Sequence, residues 1–329
     1  THYVNSYGKY QLRTLIQETT LKSRGFKPDI NQILITPGAN AVIFLAISCL
    51  VNRGEEVIIP DPGFPTYISS ANFLGAKIVT VPLYEHNSFK LNPDDLRSKI
   101  TSKTRLIIIN SPSNPTGSLI DPDELIEIAK IAEEKDIYLL SDEVYARMVF
   151  EESEKFFSMG LQDACKKRII IANGFSKAFA MTGWRLGAAI GPAVIIEKMM
   201  LVLQTISSCV PPFIQEGGIE AIQGDKADLK EMMDFYKKNR DYLVDNLNLI
   251  KGITCLKPDG AIYAFPNITG TGMSSESFAN YLLDNCGIAV IPGNHFGVSG
   301  EGYVRLSYTI SFELIVEAIE KMKTALGTK

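Results

Sequence analysis

The sequence predicts an α/β fold, in which a large domain with a mainly parallel sheet flanked by helices precedes a smaller α+β C-terminal domain. Three observations support this prediction. Short apolar runs alternate with longer segments of helical pattern as far as residue 210. Most of these runs are apolar at every position, which is typical of strands buried on both faces of a parallel sheet. Beyond residue 210 the order of the elements changes.

Six apolar runs are predicted as strands of the large sheet. They are Ile33–Ile35, Val57–Ile59, Ile78–Val81, Leu106–Ile109, Ile137–Leu140 and Ile169–Ile171. Between them, residues 40–51 are apolar nearly all round, which predicts a buried helix. Another helix is expected to begin at Pro122, because Asp121 can cap it and Glu124 lies three residues after the cap.

After Pro211 and Pro212 the chain has the pattern of a smaller α+β unit. Residues 226–249 are predicted as one long amphipathic helix. Strands are expected near 253–257, 261–265, 288–291 and 303–309, and helices near 275–285 and 312–326. We therefore expect a large domain at residues 1–225 and a small domain, which includes the long helix, at residues 226–329.

Composition and charge argue against several classes of protein. Of the 329 residues, 46% are hydrophobic and 21% are charged, as in an ordinary globular protein. The net charge of −4 argues against nucleic acid or an anionic membrane as a main partner. Apolar stretches of about 18 residues, which could span a membrane, do not occur. The five cysteines and three histidines show no metal-ligand spacing, which predicts a reduced, cytoplasmic protein without a metal.

Polar and turn residues follow five of the predicted strands, at the carboxyl end of each. These segments are Gly38–Asn40, Asp61–Phe64, Asn110–Gly117, Ser141–Glu143 and Asn173–Lys177. In open α/β sheets, ligands bind beyond the carboxyl ends of the strands. Turn residues between elements are common, but five such segments that include a lysine and an aspartate indicate a site.

The motifs of several other kinds of site are missing from the sequence. It contains no G-x-G-x-x-G after a strand and no G-x-x-x-x-G-K-[ST], which argues against the usual nucleotide sites. H-E-x-x-H and G-x-S-x-G are missing as well. What remains is Lys177 after a buried strand, together with Asp142 and an asparagine. Pyridoxal phosphate needs a lysine for covalent attachment and a carboxylate for its ring nitrogen, so this pattern favours that cofactor.

Three motifs in the sequence resemble those of the fold-type I aminotransferases, class I/II. They are S-K-A-F-A-M-T-G-W-R at Ser176–Arg185, S-N-P-T-G at Ser113–Gly117 and S-D-E-V-Y at Ser141–Tyr145. The motifs have the family's order and a similar spacing, and the likeness extends from Tyr3 to beyond Arg305. The M-T-G-W-R form is most similar to the aspartate aminotransferase group. Family members extend some tens of residues before the position of Tyr3, so the sequence is expected to be a piece of a longer protein.

The resemblance implies roles for the residues around the cofactor ring. Lys177 would hold pyridoxal phosphate covalently and shuttle a proton at the substrate Cα. Asp142 would pair with the ring nitrogen, which lets the ring accept electrons. Asn114 and Tyr145 would hydrogen-bond the 3′ oxygen of the ring. Phe64 would stack on the ring and exclude water from it.

The resemblance also implies how the phosphate is bound. The backbone amides of Ala39 and Asn40 open a helix, and helix N-termini favour anions. Arg185 lies eight positions after Lys177, as the family's phosphate arginine does, and its planar fork suits a phosphate. Ser176 would add a hydroxyl.

Arg305 resembles the arginine that binds the α-carboxylate of the substrate. A bidentate arginine–carboxylate pair fixes orientation as well as charge, and Asn114 is expected to assist it. Tyr67, which lies three residues after Phe64, is expected to serve packing.

Tyr3 resembles the family tyrosine that crosses a subunit interface. The hydroxyl of that tyrosine meets the phosphate of the neighbouring subunit's cofactor, since a phenol can donate to a phosphate oxygen without adding charge. The resemblance therefore implies a homodimer in which two chains build each site.

Three functions remain open on the sequence. The leading one is an aminotransferase that moves an amino group between an L-amino acid and a 2-oxo acid, either aspartate and 2-oxoglutarate or a broad range. The second is a pyridoxal-phosphate C–S β-lyase on the same scaffold, because a fold does not fix the reaction. The third is a non-catalytic ligand-sensing domain of a transcription regulator, against which the lack of a basic region argues. The residue that reads the substrate side chain is not identified.

Overall fold

The computed structural model describes residues 2–150, 156–224 and 227–329. A seven-stranded sheet forms the centre of the larger part of the molecule. Its strands are β1 (Ile33–Thr36), β2 (Glu56–Asp61), β3 (Lys77–Pro82), β4 (Thr104–Asn110), β5 (Tyr138–Asp142), β6 (Ile169–Gly174) and β7 (Gly187–Ile190). All six strands that the sequence predicts are present, each within a few residues of its expected bounds.

The strands follow the order β1-β7-β6-β5-β4-β2-β3, and most neighbours are parallel. Only β7 runs against both of its neighbours, β6 and β1, so β1 has the same direction as the other five. The sheet is therefore mainly parallel, as predicted, and the carboxyl ends of six strands lie at one edge. The strand β7 was not predicted, because Gly187, Ala188 and Ala189 lack the β-branched side chains that favour strands.

Helices cover both faces of this sheet. One face carries α2 (Ala39–Leu50), α3 (Pro65–Leu74) and α7 (Ala193–Ser207), which share a hydrophobic cluster with Leu34 and Ile59. The opposite face carries α1 (Tyr10–Arg24), α4 (Pro93–Lys99), α5 (Pro122–Glu134) and α8 (Pro212–Gln223), which pack with Ile35 and Ile58. Alternate strand residues thus fill two separate core layers, which explains why the runs are apolar at every position. The exception is β3, which lies at the sheet edge and is partly exposed.

Two helices begin where their sequence signals predict. The helix α2 corresponds to the buried helix expected at 40–51. The helix α5 starts at Pro122, and the Asp121 N–H donates to the Glu124 carboxylate at 3.3 Å. This reciprocal contact satisfies a backbone donor that a helix end leaves without a partner inside the helix.

The C-terminal part contains a three-stranded antiparallel sheet and three helices among its described residues. Its elements are α9 (Ala227–Leu247), β8 (Tyr263–Ala264), α10 (Ser275–Cys286), β9 (Ile291–Pro292), β10 (Val304–Ser307) and α11 (Phe312–Leu326). The strand β10 lies between β8 and β9. A third hydrophobic cluster joins these helices to Tyr145, Met148 and Phe150. The expected start of the long helix at 226 and the expected domain boundary at 225 lie outside the described residues.

The strand predicted at 253–257 is wrong. Only Thr254 pairs with Asn267, in an isolated bridge. The main-chain N–H of Cys255 donates to the Asn248 side chain at 2.9 Å, and its carbonyl accepts from the same side chain at 3.0 Å. Because Asn248 takes both groups, Cys255 cannot extend a ladder.

None of the described helices combines the length and the apolar character that a membrane crossing requires.

Candidate active site

The carboxyl ends of β1, β2, β4, β5 and β6 meet at one edge of the sheet, as predicted. Asn110, the last residue of β4, lies in register with Asp142, the last residue of β5. Asp142 in turn lies in register with Ala172 of β6. The short helix α6 (Phe175–Ala178), which carries Lys177, follows β6 directly. The parallel sheet therefore brings residues from distant parts of the chain to one site.

Asp142 is a buried carboxylate with neutral hydrogen-bond donors. The Tyr67 hydroxyl donates to its Oδ2 at 2.7 Å, and the Val144 N–H donates to its Oδ1 at 3.3 Å. Burial raises the pKa of Asp142 from its usual 3.8 to about 6, although these two hydrogen bonds act in the opposite direction. Glu143 adds a smaller rise of the same pKa. A carboxylate in this setting favours a cationic partner, and a protonated ring nitrogen would supply one.

Tyr67 is one of the residues near this site that the sequence did not identify. Tyr67 was expected to serve packing, but its hydroxyl also donates a hydrogen bond to Asp142, which lies 75 positions away in sequence. Its ring also meets Phe64 edge-on, with the ring centroids 5.7 Å apart. Phe64, the predicted stacking residue, thus belongs to the same cluster as Asp142. A tyrosine three residues after a phenylalanine carries no signal of such a contact.

Arg305 and Asn114, which are both predicted to bind the substrate, are in direct contact. The Arg305 Nη1 donates to the Asn114 Oδ1 at 2.9 Å. The Asn114 main-chain N–H donates to the Asn110 side chain at 2.7 Å, which anchors the loop after β4. The Arg305 guanidinium carbon lies 4.2 Å from the Tyr263 ring centroid and 4.8 Å from that of Phe296. The arginine therefore has a fixed position between two aromatic rings.

Burial lowers the pKa of the Arg305 guanidinium below its usual value. An arginine nonetheless stays charged under all ordinary conditions. A half-buried cation whose neighbours are an amide and two aromatic rings is suited to bind an anion. Neither Tyr263 nor Phe296 was identified from the sequence, because aromatic residues in a small domain are most often core residues.

Tyr145 is buried, and its hydroxyl donates to the Tyr263 hydroxyl at 3.2 Å. The two rings meet edge-on with their centroids 6.0 Å apart. Burial, followed by the neighbouring Tyr263, raises the pKa of the Tyr145 phenol well above its usual value. Tyr145 therefore remains a neutral hydrogen-bond donor.

Arg185 lies against the turn that opens α2. A Cβ atom added to Gly38 would come within 2.7 Å of the Arg185 Nη2, and Gly38 has a φ of 82°. The positive φ favours glycine at this position, and a side chain here would displace the Arg185 guanidinium. Arg185 itself is fixed by its Nη1, which donates to the Thr182 carbonyl at 3.0 Å. The first-turn amides of Ala39 and Asn40 and the guanidinium therefore form a cradle for an anion.

The helix α6 lies beside this cradle. A Cβ atom added to Gly174, which directly precedes α6, would lie 3.6 Å from the Cβ of Ala39. Ser176 and Lys177 are both half-buried. In the part of the chain that the structure describes, the Lys177 amine forms no hydrogen bond or ion pair.

Tyr3 is separate from the other predicted site residues. Its side chain is 85% exposed, and among the described residues it forms no hydrogen bond, ion pair or ring contact with them.

A cavity of about 880 Å³ lies next to this site but does not contain it. Its wall includes Arg24, Arg147, Phe179 and Trp184, and none of the predicted site residues contributes to it. Arg24 is held there by an ion pair with Glu143, whose Nε and Oε2 atoms are 2.6 Å apart. The chemistry proposed from the sequence therefore belongs to the sheet edge and not to this cavity.

The residues at the sheet edge fit pyridoxal phosphate. Asp142 offers a buried carboxylate to a ring nitrogen, and Lys177 offers a primary amine for covalent attachment. The Gly38 turn and Arg185 offer a cradle that a larger residue at position 38 would fill. The fold and the site together define a fold-type I pyridoxal-phosphate enzyme.

Comparisons with known proteins identify the family. The chain belongs to the aminotransferases of class I and II, whose sequence profile matches residues 1–322. An aspartate aminotransferase of Pyrococcus horikoshii is 41% identical over 328 residues, which are 99% of this chain and 83% of that protein. The aromatic-amino-acid aminotransferase 2 of Thermococcus litoralis is 39% identical, over 100% of this chain and 85% of its own.

Solved structures agree with this assignment. The aromatic aminotransferase of P. horikoshii superimposes with a TM-score of 0.96 at 39% identity, covering 99% of this chain and 88% of its own. An aspartate aminotransferase of Thermus thermophilus with maleate has a TM-score of 0.94 at 31% identity, covering 99% and 84%. The protein is an aminotransferase that uses pyridoxal phosphate and acts on small amino-acid and keto-acid substrates. The C–S β-lyase alternative is not favoured.

Proposed function

We propose that this site exchanges the amino group of an L-amino acid for the oxygen of a 2-oxo acid, with aspartate among the donors of a broad range. The observation that carries the proposal is the 2.9 Å contact between Arg305 and Asn114. It joins a cation on β10 to the loop after β4, so a substrate carboxylate bound by Arg305 would lie beside the cofactor site. A carboxylate bound at this position would orient the substrate Cα toward Lys177.

Each residue has a defined task in this proposal. When bound, pyridoxal phosphate supplies the electron sink for the carbanion at the substrate Cα. Asp142 would keep the ring nitrogen protonated, and Asn114 and Tyr145 would donate to the 3′ oxygen of the ring, the Tyr145 hydroxyl turning from that of Tyr263 to do so. Lys177 Nζ would remove the proton from the substrate Cα, and Phe64 would cover one face of the ring.

The phosphate would lie in the cradle of Arg185, Ser176 and the amides of Ala39 and Asn40. The close approach of Arg185 to Gly38 supports this assignment, because it puts the guanidinium beside the first turn of α2. An anion there interacts with backbone donors and with a cation at once.

The substrate range is proposed from the names of similar relatives. Relatives of similar identity are named as aspartate and as aromatic-amino-acid aminotransferases. Single-turnover spectra with a panel of amino acids test the proposal, because conversion of the cofactor to its amine form marks transamination. If aspartate and aromatic amino acids both fail to convert it, the proposal is wrong.

Replacing Arg305 with lysine is expected to weaken amino-acid binding by about tenfold or more, because the charge stays and the bidentate fork is lost. Cofactor retention is expected to stay unchanged. The measurements are the substrate dependence of the single-turnover rate and the amount of cofactor that survives dialysis. Arg53→Lys, at an exposed arginine, is the matched control. Loss of cofactor from Arg305→Lys would instead assign Arg305 to the phosphate or to the fold.

We further propose that the functional unit is a homodimer in which Tyr3 reaches the phosphate of the neighbouring subunit. The high exposure of Tyr3 in the single chain supports this role. Large apolar side chains are also exposed on two helices of one face of the sheet: Phe73 on α3, and Val194, Leu201 and Ile206 on α7. A second copy of the chain would cover such a surface.

Tyr3→Phe is expected to retain pyridoxal phosphate less tightly, because one donor to the phosphate is removed. Mixing inactive Lys177→Ala chains with inactive chains that lack Tyr3 is expected to restore part of the activity, since a hybrid dimer regains one intact site. Tyr84→Phe, which also removes an exposed hydroxyl, is the control. A monomer with full activity at low concentration, measured by light scattering and assay together, would contradict the dimer.

We also propose a cytoplasmic location. The five cysteines are free thiols, and Cys165, Cys209, Cys255 and Cys286 are buried. Thiols persist in reducing compartments, which supports the proposal. Fractionation of cells that express the protein would test it.

A further inference from the structure

The hydrogen bond between Tyr67 and Asp142 is short and wholly buried. The Tyr67 side chain has 0% exposure, Asp142 has 5%, and the phenol oxygen lies 2.7 Å from Oδ2. The two residues come from α3 and β5. A buried phenol and carboxylate in direct contact form a charge-assisted hydrogen bond, which is stronger than a neutral one.

The direction of this hydrogen bond is fixed by the chemistry of the two groups. Burial and the Asp142 charge raise the pKa of the Tyr67 phenol well above its usual value, so the phenol keeps its proton. It can only donate to Oδ2, while Oδ1 receives the longer bond from the Val144 N–H at 3.3 Å. Two donors on different elements thus fix the plane of the carboxylate.

We propose that Tyr67 is a positioning residue for catalysis, whose hydroxyl orients the Asp142 carboxylate and keeps it ionised for the cofactor's ring nitrogen. The inference rests on the role proposed for Asp142 and assigns to Tyr67 the means by which that role is maintained. Without the hydroxyl, Asp142 keeps only the weaker bond from Val144, and a desolvated carboxylate with one long hydrogen bond tends to take up a proton.

The ring of Tyr67 and its hydroxyl have separable tasks. The ring packs in the core cluster with Leu34, Val57 and Ile59 and meets Phe64 at 5.7 Å. A phenylalanine would make these contacts equally well. Packing alone therefore does not account for a hydroxyl that faces Asp142.

Few other titratable groups act on Asp142. Glu143 raises the Asp142 pKa, but its own carboxylate is bound to Arg24 and to the hydroxyls of Ser141 and Ser158. Tyr145 interacts with Asp142 through space, and its hydroxyl is directed to Tyr263. Tyr67 is therefore the side chain whose hydrogen bond opposes the effect of burial on Asp142.

The test is a double-mutant cycle on cofactor binding. Tyr67→Phe, Asp142→Asn and the double variant are made in the full chain, and the dissociation constant of pyridoxal phosphate is measured after the cofactor has been removed and added back. Tyr67→Phe is expected to weaken binding about tenfold near neutral pH, the size of a lost hydrogen bond to a charged group. In the Asp142→Asn background the same substitution is expected to have little effect.

The pH dependence separates positioning from packing. Losing the hydroxyl raises the pKa of Asp142 further, so the carboxylate ionises only at higher pH. The pH at which cofactor affinity reaches half of its plateau is therefore expected to move upward in Tyr67→Phe. A packing defect would lower the affinity equally at every pH and equally in both backgrounds, and that result would overturn the proposal.

Two further outcomes are decisive. If Asp142→Asn alone leaves cofactor affinity unchanged, the role proposed for Asp142 fails and the inference fails with it. If Asp142→Asn weakens binding while Tyr67→Phe has no effect, only the inference fails. Should Tyr67→Phe not fold, a fluorinated tyrosine at position 67 keeps the shape and donates more strongly. The half-plateau pH is then expected to move downward, and an unchanged or higher value would overturn the proposal.

Discussion

The rate of half-transamination is expected to fall roughly 10²- to 10⁴-fold in Lys177→Ala, which is the range for the loss of a general base. The fall can be larger, because the variant also loses the covalent attachment of the cofactor. The native protein is expected to be yellow from lysine-bound pyridoxal phosphate, and the variant is expected to lack that absorption band. The cradle of Gly38 and Arg185 does not involve Lys177, so the variant should still bind the cofactor without a covalent bond. Absorption spectra and single-turnover assays measure both effects.

The matched control for this prediction is Lys166→Ala. Lys166 is exposed and lies in the segment before β6, whereas Lys177 is half-buried in the segment after it. The control should keep both the colour and the rate. A small added amine is expected to restore part of the rate of Lys177→Ala, because it can replace the missing base. If the variant turns over at the native rate without such an amine, Lys177 is not the catalytic lysine.

Most of the large sheet could be predicted from the sequence, because a strand buried on both faces has a distinct signal. The predicted runs within β1, β2, β4 and β6 are apolar at every position, and every residue of these runs is buried. The strand β7 has no such signal, because it contains a glycine at a position where a neighbouring turn leaves no room for a side chain. A Cβ atom added to Gly187 would come within 2.6 Å of Gly38. The close approach of the Gly38 turn therefore requires a glycine at position 187, and this glycine weakens the strand signal of β7.

Site residues that lie in a sequence motif could be predicted. Site residues that lie outside any motif, and reach the site only through a tertiary contact, could not. Lys177, Asp142 and Asn114 lie in motifs, and the strand order is sufficient to bring their segments to one edge. Tyr67 and Phe296 act through neighbours that are distant in sequence. Only the packing of α3 on the sheet brings Tyr67 to the site, and only the fold of the C-terminal part brings Phe296 next to Arg305. The roles of all these residues stay predictions until the variants are measured.

Asp142→Ala is expected to leave the fold intact and to lose most of the rate, because the ring then lacks the carboxylate that keeps its nitrogen protonated. A loss smaller than about tenfold, or roughly 1.4 kcal/mol, would contradict the role. Asp142→Asn is the sharper variant, since it keeps the shape and removes only the charge. Asp163→Asn, at a carboxylate that accepts main-chain N–H groups before β6, is the matched control and should keep its rate.

Removing the Asp142 charge lowers the rate, but it is expected to raise the free energy of unfolding of the protein without its cofactor. Because the Asp142 pKa is raised from 3.8 to about 6 in the folded state, the folded protein binds this proton more tightly than the unfolded chain does. Below about pH 4 the carboxylate is protonated in both the folded and the unfolded state. Between about pH 4 and 6 the free-energy cost of burying the ionised carboxylate on folding grows. Above about pH 6 the cost is constant at about 3 kcal/mol.

Asp142→Asn should therefore stabilise the cofactor-free protein at pH 7 but not at pH 4. Added pyridoxal phosphate should reverse the order at pH 7, because its ring nitrogen pairs with Asp142 in the native protein alone. Thermal unfolding of both proteins at the two pH values, with and without cofactor, measures this. A native protein that is more stable than Asp142→Asn in every condition would show that Asp142 serves the fold and not the cofactor.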